Sequence, residues 1–217
     1  MEASAKEFPL SRSLCDVQIS DAVRPSPGGQ CINVDAEGVA LCTDGEELYR
    51  VDVQRLAREG AGAVLRPWPR GASTFPKTVS SLYLSGCKPP KLLVLAGSIA
   101  AVMDAKAGDD MKPLTLESKH VLPWCWGSWN AQYGSVFGVV TQVELCVCST
   151  EGAHPTRAQA LQVLDTVAAP ASGLLNKPKF AWLGDGQRMV ASWGGAVEVI
   201  QWGSVSEGME HQVASLC

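Results

Sequence analysis

The sequence predicts an all-β protein, because short apolar segments alternate with turn residues along most of its length. Hydrophobic residues make up 46% of the 217 residues and charged residues only 18%, with 21 glycines and 13 prolines. This composition favours buried strands joined by many turns over long solvated helices. A strand-turn-strand pattern also recurs four times along the chain, which predicts a repeated antiparallel sheet.

The first two copies of this pattern lie in the N-terminal half. The first covers 31–53 and places Asp44-Gly45 between its second and third strands. The second covers 80–116, where Lys88-Pro89-Pro90 breaks the first strand and Asp104 to Gly108 turn the third strand into a fourth. Four strands in about 40 residues is the size of one β-propeller blade.

The other two copies lie in the C-terminal half, at 120–150 and 179–202. In the last copy, Asp185-Gly186 and Gly194-Gly195 predict two-residue hairpin turns, because glycine adopts positive φ without steric cost. The middle strand of each copy is apolar at successive positions. This is expected where one sheet is stacked between two others.

The repeats predict a β-propeller of about four blades within 14–205. The approximate boundaries are 14–78, 79–118, 119–170 and 171–205, between an N-terminal tail at 1–13 and a C-terminal tail at 206–217.

Two segments have a helical alternative, 52–60 and 155–169. In the second, Leu161, Leu164 and Ala168 lie at helical spacing, whereas ALQVLDTV also matches an outer strand ended by Pro170. We favour the strand, since the third blade needs one there.

The number of blades leaves three arrangements open, because propellers typically close with four to eight. The chain forms a small or irregular propeller in which the isolated strand at 14–20 completes the last blade, or it is the front part of a longer propeller. In the third arrangement, a partner protein completes an open set of blades. An open set exposes strand edges and apolar sheet faces, which favour association.

The pattern resembles the WD40 family. The matching residues are Phe180-Ala181-Trp182, Asp185-Gly186, Ala191-Ser192 and the run from Val102 to Gly108, and His120 stands where that family often carries a Gly-His dipeptide. The chain departs from the family at Lys119, which replaces that glycine, and it contains no Trp-Asp dipeptide. The resemblance implies rigid blades whose loops bind proteins without catalysis.

A propeller enzyme is the alternative, a hydrolase or lyase with acidic loop residues at the mouth of the central channel. Those residues fall in predicted turns, where solvation alone explains an acidic side chain. They are Asp35, Asp44, Glu46, Glu47, Asp109, Asp110 and Asp185. We favour the non-catalytic scaffold, a subunit of a larger assembly.

The sequence predicts no metal or cofactor site. Cys146 and Cys148 share one face of a predicted strand and Cys125 lies on a neighbouring strand, but the paired turn of a structural zinc site is missing. No phosphate-binding glycine loop or nucleophile elbow occurs either. We therefore expect neither a catalytic residue nor a cofactor.

Charge and the N-terminal sequence predict the kind of partner and the compartment. The net charge of −4 and the pI near 5.4 give no global positive field for nucleic acid or anionic membranes. The charged start has no apolar signal-peptide core, and eight cysteines without such a signal suggest reduced thiols. We expect protein partners in the cytoplasm or the nucleus.

Five residues are candidate partner contacts, because aromatic and arginine side chains anchor many protein interfaces. Arg66, Trp68 and Arg70 form a predicted loop with two prolines, and Trp129 and Trp193 lie next to predicted turns.

Overall fold

The protein folds into four separate antiparallel sheets, each with four strands. The computed structural model describes 32–34, 39–43, 48–52, 58, 66–67, 79–105, 113–151, 161–169, 178–193, 197–202 and 211–212. In every sheet the strands lie side by side in the order of the sequence. The predicted all-β fold with four-stranded sheets is therefore confirmed. We number the sheets as blades 1 to 4.

The strands of the first two blades follow the first two predicted repeats. Blade 1 contains β1 (Ile32–Val34), β2 (Val39–Thr43), β3 (Leu48–Asp52) and β4 (Arg66–Pro67). Blade 2 contains β5 (Val79–Leu84), β6 (Lys91–Ala96), β7 (Ile99–Asp104) and β8 (Leu114–Glu117). The Lys88-Pro89-Pro90 segment lies in the connection between β5 and β6, as proline cannot donate to a strand ladder.

The third and fourth predicted repeats form the other two blades. Blade 3 contains β9 (Trp126–Trp129), β10 (Val136–Val140), β11 (Glu144–Ser149) and β12 (Gln162–Ala168). Blade 4 contains β13 (Lys179–Trp182), β14 (Arg188–Ser192), β15 (Val197–Gln201) and β16 (His211–Gln212). The segment 162–168 is thus a strand rather than a helix, paired with β11.

Two details differ from the sequence prediction. The β13–β14 loop covers 183–187 instead of two residues, because Asp185 Oδ1 accepts the backbone N–H of Gln187 and Arg188, at 2.9 and 3.0 Å. Gly186 adopts the expected positive φ, +68°. β16 lies within 206–217, the predicted tail, and pairs with β15.

Neighbouring blades pack face to face through three clusters of buried side chains. The first joins blade 2 to blade 3 through residues such as Leu93 and Phe137. The second lies between blades 1 and 2 around Leu92, with Leu41 from β2. The third joins blades 3 and 4 through residues such as Val140 and Met189. Because β6 and β10 have packed sheets on both sides, their apolar side chains are almost all fully buried.

The first strands of the blades lie along the inner side of the arrangement. β1 packs on β5, β5 on β9 and β9 on β13, while the described residues show no comparable packing of β13 on β1. The face of blade 4 turned away from blade 3 carries Ala181, Val190 and Val199, paired in one row across the sheet. All three side chains remain at least partly exposed. Among the described strands, none packs on this row in the way that neighbouring blades pack on one another.

Several predictions fall on parts of the chain outside the described residues. These are the strand at 14–20, the turns at Asp44-Gly45 and Gly194-Gly195, and most of 52–60, of which only Asp52 and the helical residue Arg58 are described. In the described segments, no helix has the length and apolar character needed to cross a membrane.

Candidate functional site

The connections between the first and second strands of blades 2, 3 and 4 lie at one end of the sheets, which we call the hairpin face. A cleft of about 750 Å³ opens there. Blade 2 contributes Cys87, Lys88, Pro89 and Lys91, and blade 4 contributes Gln187 and Trp202. Blade 3 contributes residues 132–136, Ser149, Glu151, Gln162 and Leu164. We call this site the three-blade cleft.

The buried side chain of Asn130 shapes the β9–β10 loop in the middle of the three-blade cleft. Its Oδ1 accepts the backbone N–H groups of Gln132 and Tyr133, at 2.9 and 3.1 Å. Its Nδ2 donates to the carbonyl oxygen of Gly186 in blade 4, at 2.7 Å. Asparagine is suited to this place, since its amide bonds nearby backbone groups in turns. The residue thus fixes the loop and ties blade 3 to blade 4.

Further contacts between blades fix both walls of the three-blade cleft. Gln132 Nε2 donates to the carbonyl oxygen of Gly184 at 3.1 Å, a second link to blade 4. On the blade 2 side, Lys91 Nζ lies 2.6 Å from Thr150 Oγ1. Gly134 approaches blade 2 so closely that a Cβ there would lie 2.7 Å from Cys87 Cβ. The shape of the cleft therefore depends on the stacking of the blades.

Tyr133 and Trp202 form the aromatic wall of the three-blade cleft. Their rings meet edge to face with centroids 5.7 Å apart. Trp202 is buried, whereas 43% of Tyr133 remains exposed, unusual for a large aromatic side chain. Leu164 joins this wall at a β-bulge in β12, where the register with β11 shifts next to Cys148. A bulge re-aims a side chain in this way.

Some polar side chains of the three-blade cleft form hydrogen bonds between blades, and others have no partner among the described residues. Lys91 and Gln132 are used in the links between blades. The side chains of Lys88, Glu151 and Gln187 make no hydrogen bond or ion pair with any described residue. A bound molecule therefore meets unpaired donors and acceptors beside an apolar wall, the usual composition of a binding site.

The structure describes the side chains of two of the five sequence-predicted contact residues, Trp129 and Trp193. Trp129 is buried, and its Nε1 donates to the carbonyl oxygen of Tyr83 in blade 2 at 2.9 Å. Trp193 is fully buried in the cluster between blades 3 and 4. These two rings pack the blades, because closeness to a turn does not determine which face a side chain takes. Arg66 lies in β4, and Trp68 and Arg70 fall outside the described residues.

The sequence analysis did not single out Tyr133, Lys88 or Trp202 as contact residues. A signal was available for Tyr133, because the connection NAQYGS carries a large aromatic residue between two predicted strands. Trp202 gives no such signal. It ends an alternating strand like any core residue, and only the fold brings it to the rim.

Cys87, Cys146 and Cys148 are free thiols, and the last two are buried. Burial, together with the nearby Glu144 carboxylate, raises the pKa of Cys146 to about 11. Burial also raises the pKa of Cys148. Within the described segments, no group of three or more His, Cys, Asp or Glu side chains is arranged to hold a metal ion. Cys146 and Cys148 lie instead in the cluster between blades 2 and 3.

Asp185 is the one described member of the acidic set considered for catalysis. Arg188 Nε lies 2.6 Å from Asp185 Oδ2 and lowers the pKa of that carboxyl. Its other oxygen accepts two backbone N–H groups of the same loop. Both carboxylate oxygens are thus engaged in forming the β13–β14 turn.

Comparison with known proteins shows the fold and no family. No family model matches the chain, and no curated protein sequence matches it. Many solved structures do match, among them β-propellers. These likenesses at low sequence identity show that the chain has the fold of a partial β-propeller, without placing it in the WD40 family.

Three of the matched structures illustrate the range of propellers. A chain of the mitotic checkpoint complex matches with a TM-score of 0.59 and 13% identity over 97% of this chain and 60% of that chain. Hsv2 from Kluyveromyces lactis matches with a TM-score of 0.61 and 12% identity over 85% of this chain and 60% of that one.

The periplasmic gluconolactonase of Pseudomonas aeruginosa matches with a TM-score of 0.59 and 12% identity, over 86% of this chain and 53% of that one. The chain thus spans between half and three fifths of these propellers. Its structural neighbours thus include both a chain of a protein complex and a gluconolactonase.

Proposed function

We propose that the chain is a non-catalytic β-propeller scaffold that holds a partner protein in the three-blade cleft, as a subunit of a larger assembly. The observation that carries the proposal is the cleft itself. Its aromatic wall is partly exposed, because Tyr133 is accessible to solvent. The polar side chains of Lys88, Glu151 and Gln187 are exposed. Hydrogen bonds between blades fix the shape of the cleft. Preformed surfaces of this kind bind with little loss of conformational entropy.

The charge and the thiols of the chain support the type of partner and compartment. A net charge of −4 offers no attraction for nucleic acid or an anionic membrane, so a protein is the partner that we propose. Cys87, Cys146 and Cys148 are free thiols, which suits the reducing conditions of the cytoplasm or nucleus, where we propose that the protein acts. The complex that contains the matched checkpoint chain is an example of a propeller within an assembly.

An affinity purification with matched variants tests this proposal. The tagged full chain, its Tyr133→Ala variant and a Gln142→Ala control are expressed in cells, and the retained proteins are quantified by mass spectrometry. Gln142 is an exposed turn residue at the opposite end of blade 3, between β10 and β11. We expect at least one protein to be retained by wild type and control and depleted with Tyr133→Ala. Equal retention by all three contradicts the assignment to this cleft.

A lactone hydrolase is the second candidate, favoured by the likeness to gluconolactonase. Hydrolytic catalysis needs positioned acid, base or nucleophilic groups, or a metal. Among the described residues that line the three-blade cleft, Glu151 is the carboxylate and no histidine is present. The two functions are distinguished by incubating the purified chain with δ-gluconolactone and measuring the rate of acid release in a pH-stat. A rate above the uncatalysed one that is lost in Glu151→Gln favours the enzyme.

A further inference from the structure

The unpaired groups of the three-blade cleft have the chemistry of peptide recognition. A carboxamide carries both a donor and an acceptor, as does a peptide unit, so the two pair in complementary fashion. Gln162 and Gln187 line the cleft, and neither carboxamide has a hydrogen-bond partner among the described residues. They stand on blades 3 and 4, so a chain crossing the cleft in extended form meets both.

The aromatic wall adds a place for an apolar side chain. Tyr133, Leu164 and Trp202 all line the three-blade cleft. The rings of Tyr133 and Trp202 are in contact, and Tyr133 is partly exposed. Rigid aromatic side chains contribute large contact areas at low entropic cost. One apolar anchor of a bound peptide fits this wall.

The charged side chains of the cleft indicate which kind of peptide residue lies next to the apolar anchor. Lys91 Nζ lies 2.6 Å from Thr150 Oγ1, and Thr150 immediately precedes Glu151 in the chain. Lys91 and Glu151 both line the cleft. Lys88 is exposed and has no partner among the described residues. It lies next to Cys87, which contacts Gly134, the neighbour of Tyr133. An ammonium group without a partner among the described residues therefore lines the same cleft as the aromatic wall.

We infer that the three-blade cleft binds an extended peptide segment of a partner protein, in which an apolar side chain packs on Tyr133 and an adjacent carboxylate pairs with Lys88. This inference rests on the proposed scaffold function and specifies its ligand. The bulge in β12 blunts the free edge of blade 3, so the side chains of the cleft recognise the segment, rather than strand addition to that edge.

Selection from a phage-displayed library of random 12-residue peptides on the immobilised full chain tests the inference. Wild type is expected to enrich peptides with Asp or Glu beside a large apolar residue. The Lys88→Glu variant is expected to lose that acidic preference, and the Kd of a wild-type-selected peptide rises by about three- to tenfold, as reversal of one exposed charge pair implies. Tyr133→Ala should remove the apolar preference.

Lys119→Glu is the matched control, since Lys119 is also exposed but lies at the opposite end of the blades. It should select the same peptides as wild type. The inference is overturned if no peptide is enriched, if the enriched peptides lack acidic residues, or if Lys88→Glu and Lys119→Glu behave alike. If Tyr133→Ala still depletes a protein in the purification described above, the scaffold function stands and the peptide ligand alone is wrong.

Discussion

Gly138 offers a sharp test of how the blades stack, because it lies in β10 directly against blade 4. A Cβ added at this position would lie 2.5 Å from Phe180 Cζ and 2.8 Å from its Cε2. Phe180 is itself buried within the cluster between blades 3 and 4, so its ring has no open space into which it could move. The substitution Gly138→Ala must therefore push the two sheets apart or displace the ring.

The expected cost follows from two opposing effects. Overpacking of a close-packed core typically destabilises a protein by about 1–3 kcal/mol. Alanine in a strand interior recovers about 0.5–1 kcal/mol relative to glycine, because it loses less backbone entropy on folding. The difference is a net destabilisation of about 0–2.5 kcal/mol, centred near 1 kcal/mol. In a domain of this size, a destabilisation near 1 kcal/mol corresponds to a Tm lower by about 2–4 °C.

Thermal unfolding followed by circular dichroism measures this effect. Gly184→Ala is the matched control, because a Cβ there meets nothing within 4 Å, and its Tm should equal that of wild type or lie slightly above it. Combining Gly138→Ala with Phe180→Leu should cost less than the sum of the two single changes, since the smaller side chain makes room. A Tm for Gly138→Ala equal to that of the control, or strict additivity in the double variant, refutes the reasoning.

Three further predictions concern single side chains. Trp129→Phe should lower the free energy of unfolding in urea more than Trp124→Phe does, by about 0.5–1.5 kcal/mol, because it removes the hydrogen bond from the indole to the carbonyl oxygen of Tyr83. Trp124 is also buried, but its indole N–H has no partner among the described residues. For Cys146, the folded thiol keeps its proton up to about pH 11, whereas an unfolded one loses it near pH 8.5. Stability should therefore fall as pH rises through this interval, and less in Cys146→Ser. The Asp185 carboxyl should titrate by NMR at a lower pH than an ordinary aspartate, because a guanidinium group contacts it.

For each of these three predictions, one outcome would contradict the physical reason given for it. Equal destabilisation by the two tryptophan substitutions would show that the Trp129 hydrogen bond adds nothing to stability. The same alkaline loss of stability in Cys146→Ser and wild type would exclude burial of this thiol as its cause. An ordinary pKa for Asp185 that stays unchanged in Arg188→Ala would mean that the pair does not form in solution.

The strands were predictable because their signals are local. The apolar segments that became β6 and β10 show their burial in the sequence itself, and the prolines at 89 and 90 mark the preceding connection. The outer strand at 162–168 was harder, since its apolar spacing also suits a helix. Pairing with β11 makes this segment a strand rather than a helix, and that pairing joins residues about twenty positions apart in the sequence.

The candidate site was not predictable in the same way, because it exists only after the blades stack. Trp129 and Trp193 lie next to turns and were candidate contacts, yet each points into a cluster between blades. Tyr133 lies in the same kind of connection and remains exposed. These residues differ in whether a neighbouring sheet covers them. The hydrogen bond of Trp129 to Tyr83 shows how distant that sheet is in the sequence, because it joins residues more than forty positions apart. Sequence alone does not show which side chain that sheet will cover.

The role of the three-blade cleft is tested most directly by photo-crosslinking from within it. A benzoylphenylalanine placed at position 133 of the tagged full chain is irradiated in cells, and the same residue at position 142 serves as the comparison on the opposite face. We predict that position 133 gives a discrete crosslinked protein and that position 142 does not give that product. Crosslinking to the same protein from position 142 but not from position 133 would contradict the assignment of partner binding to this cleft.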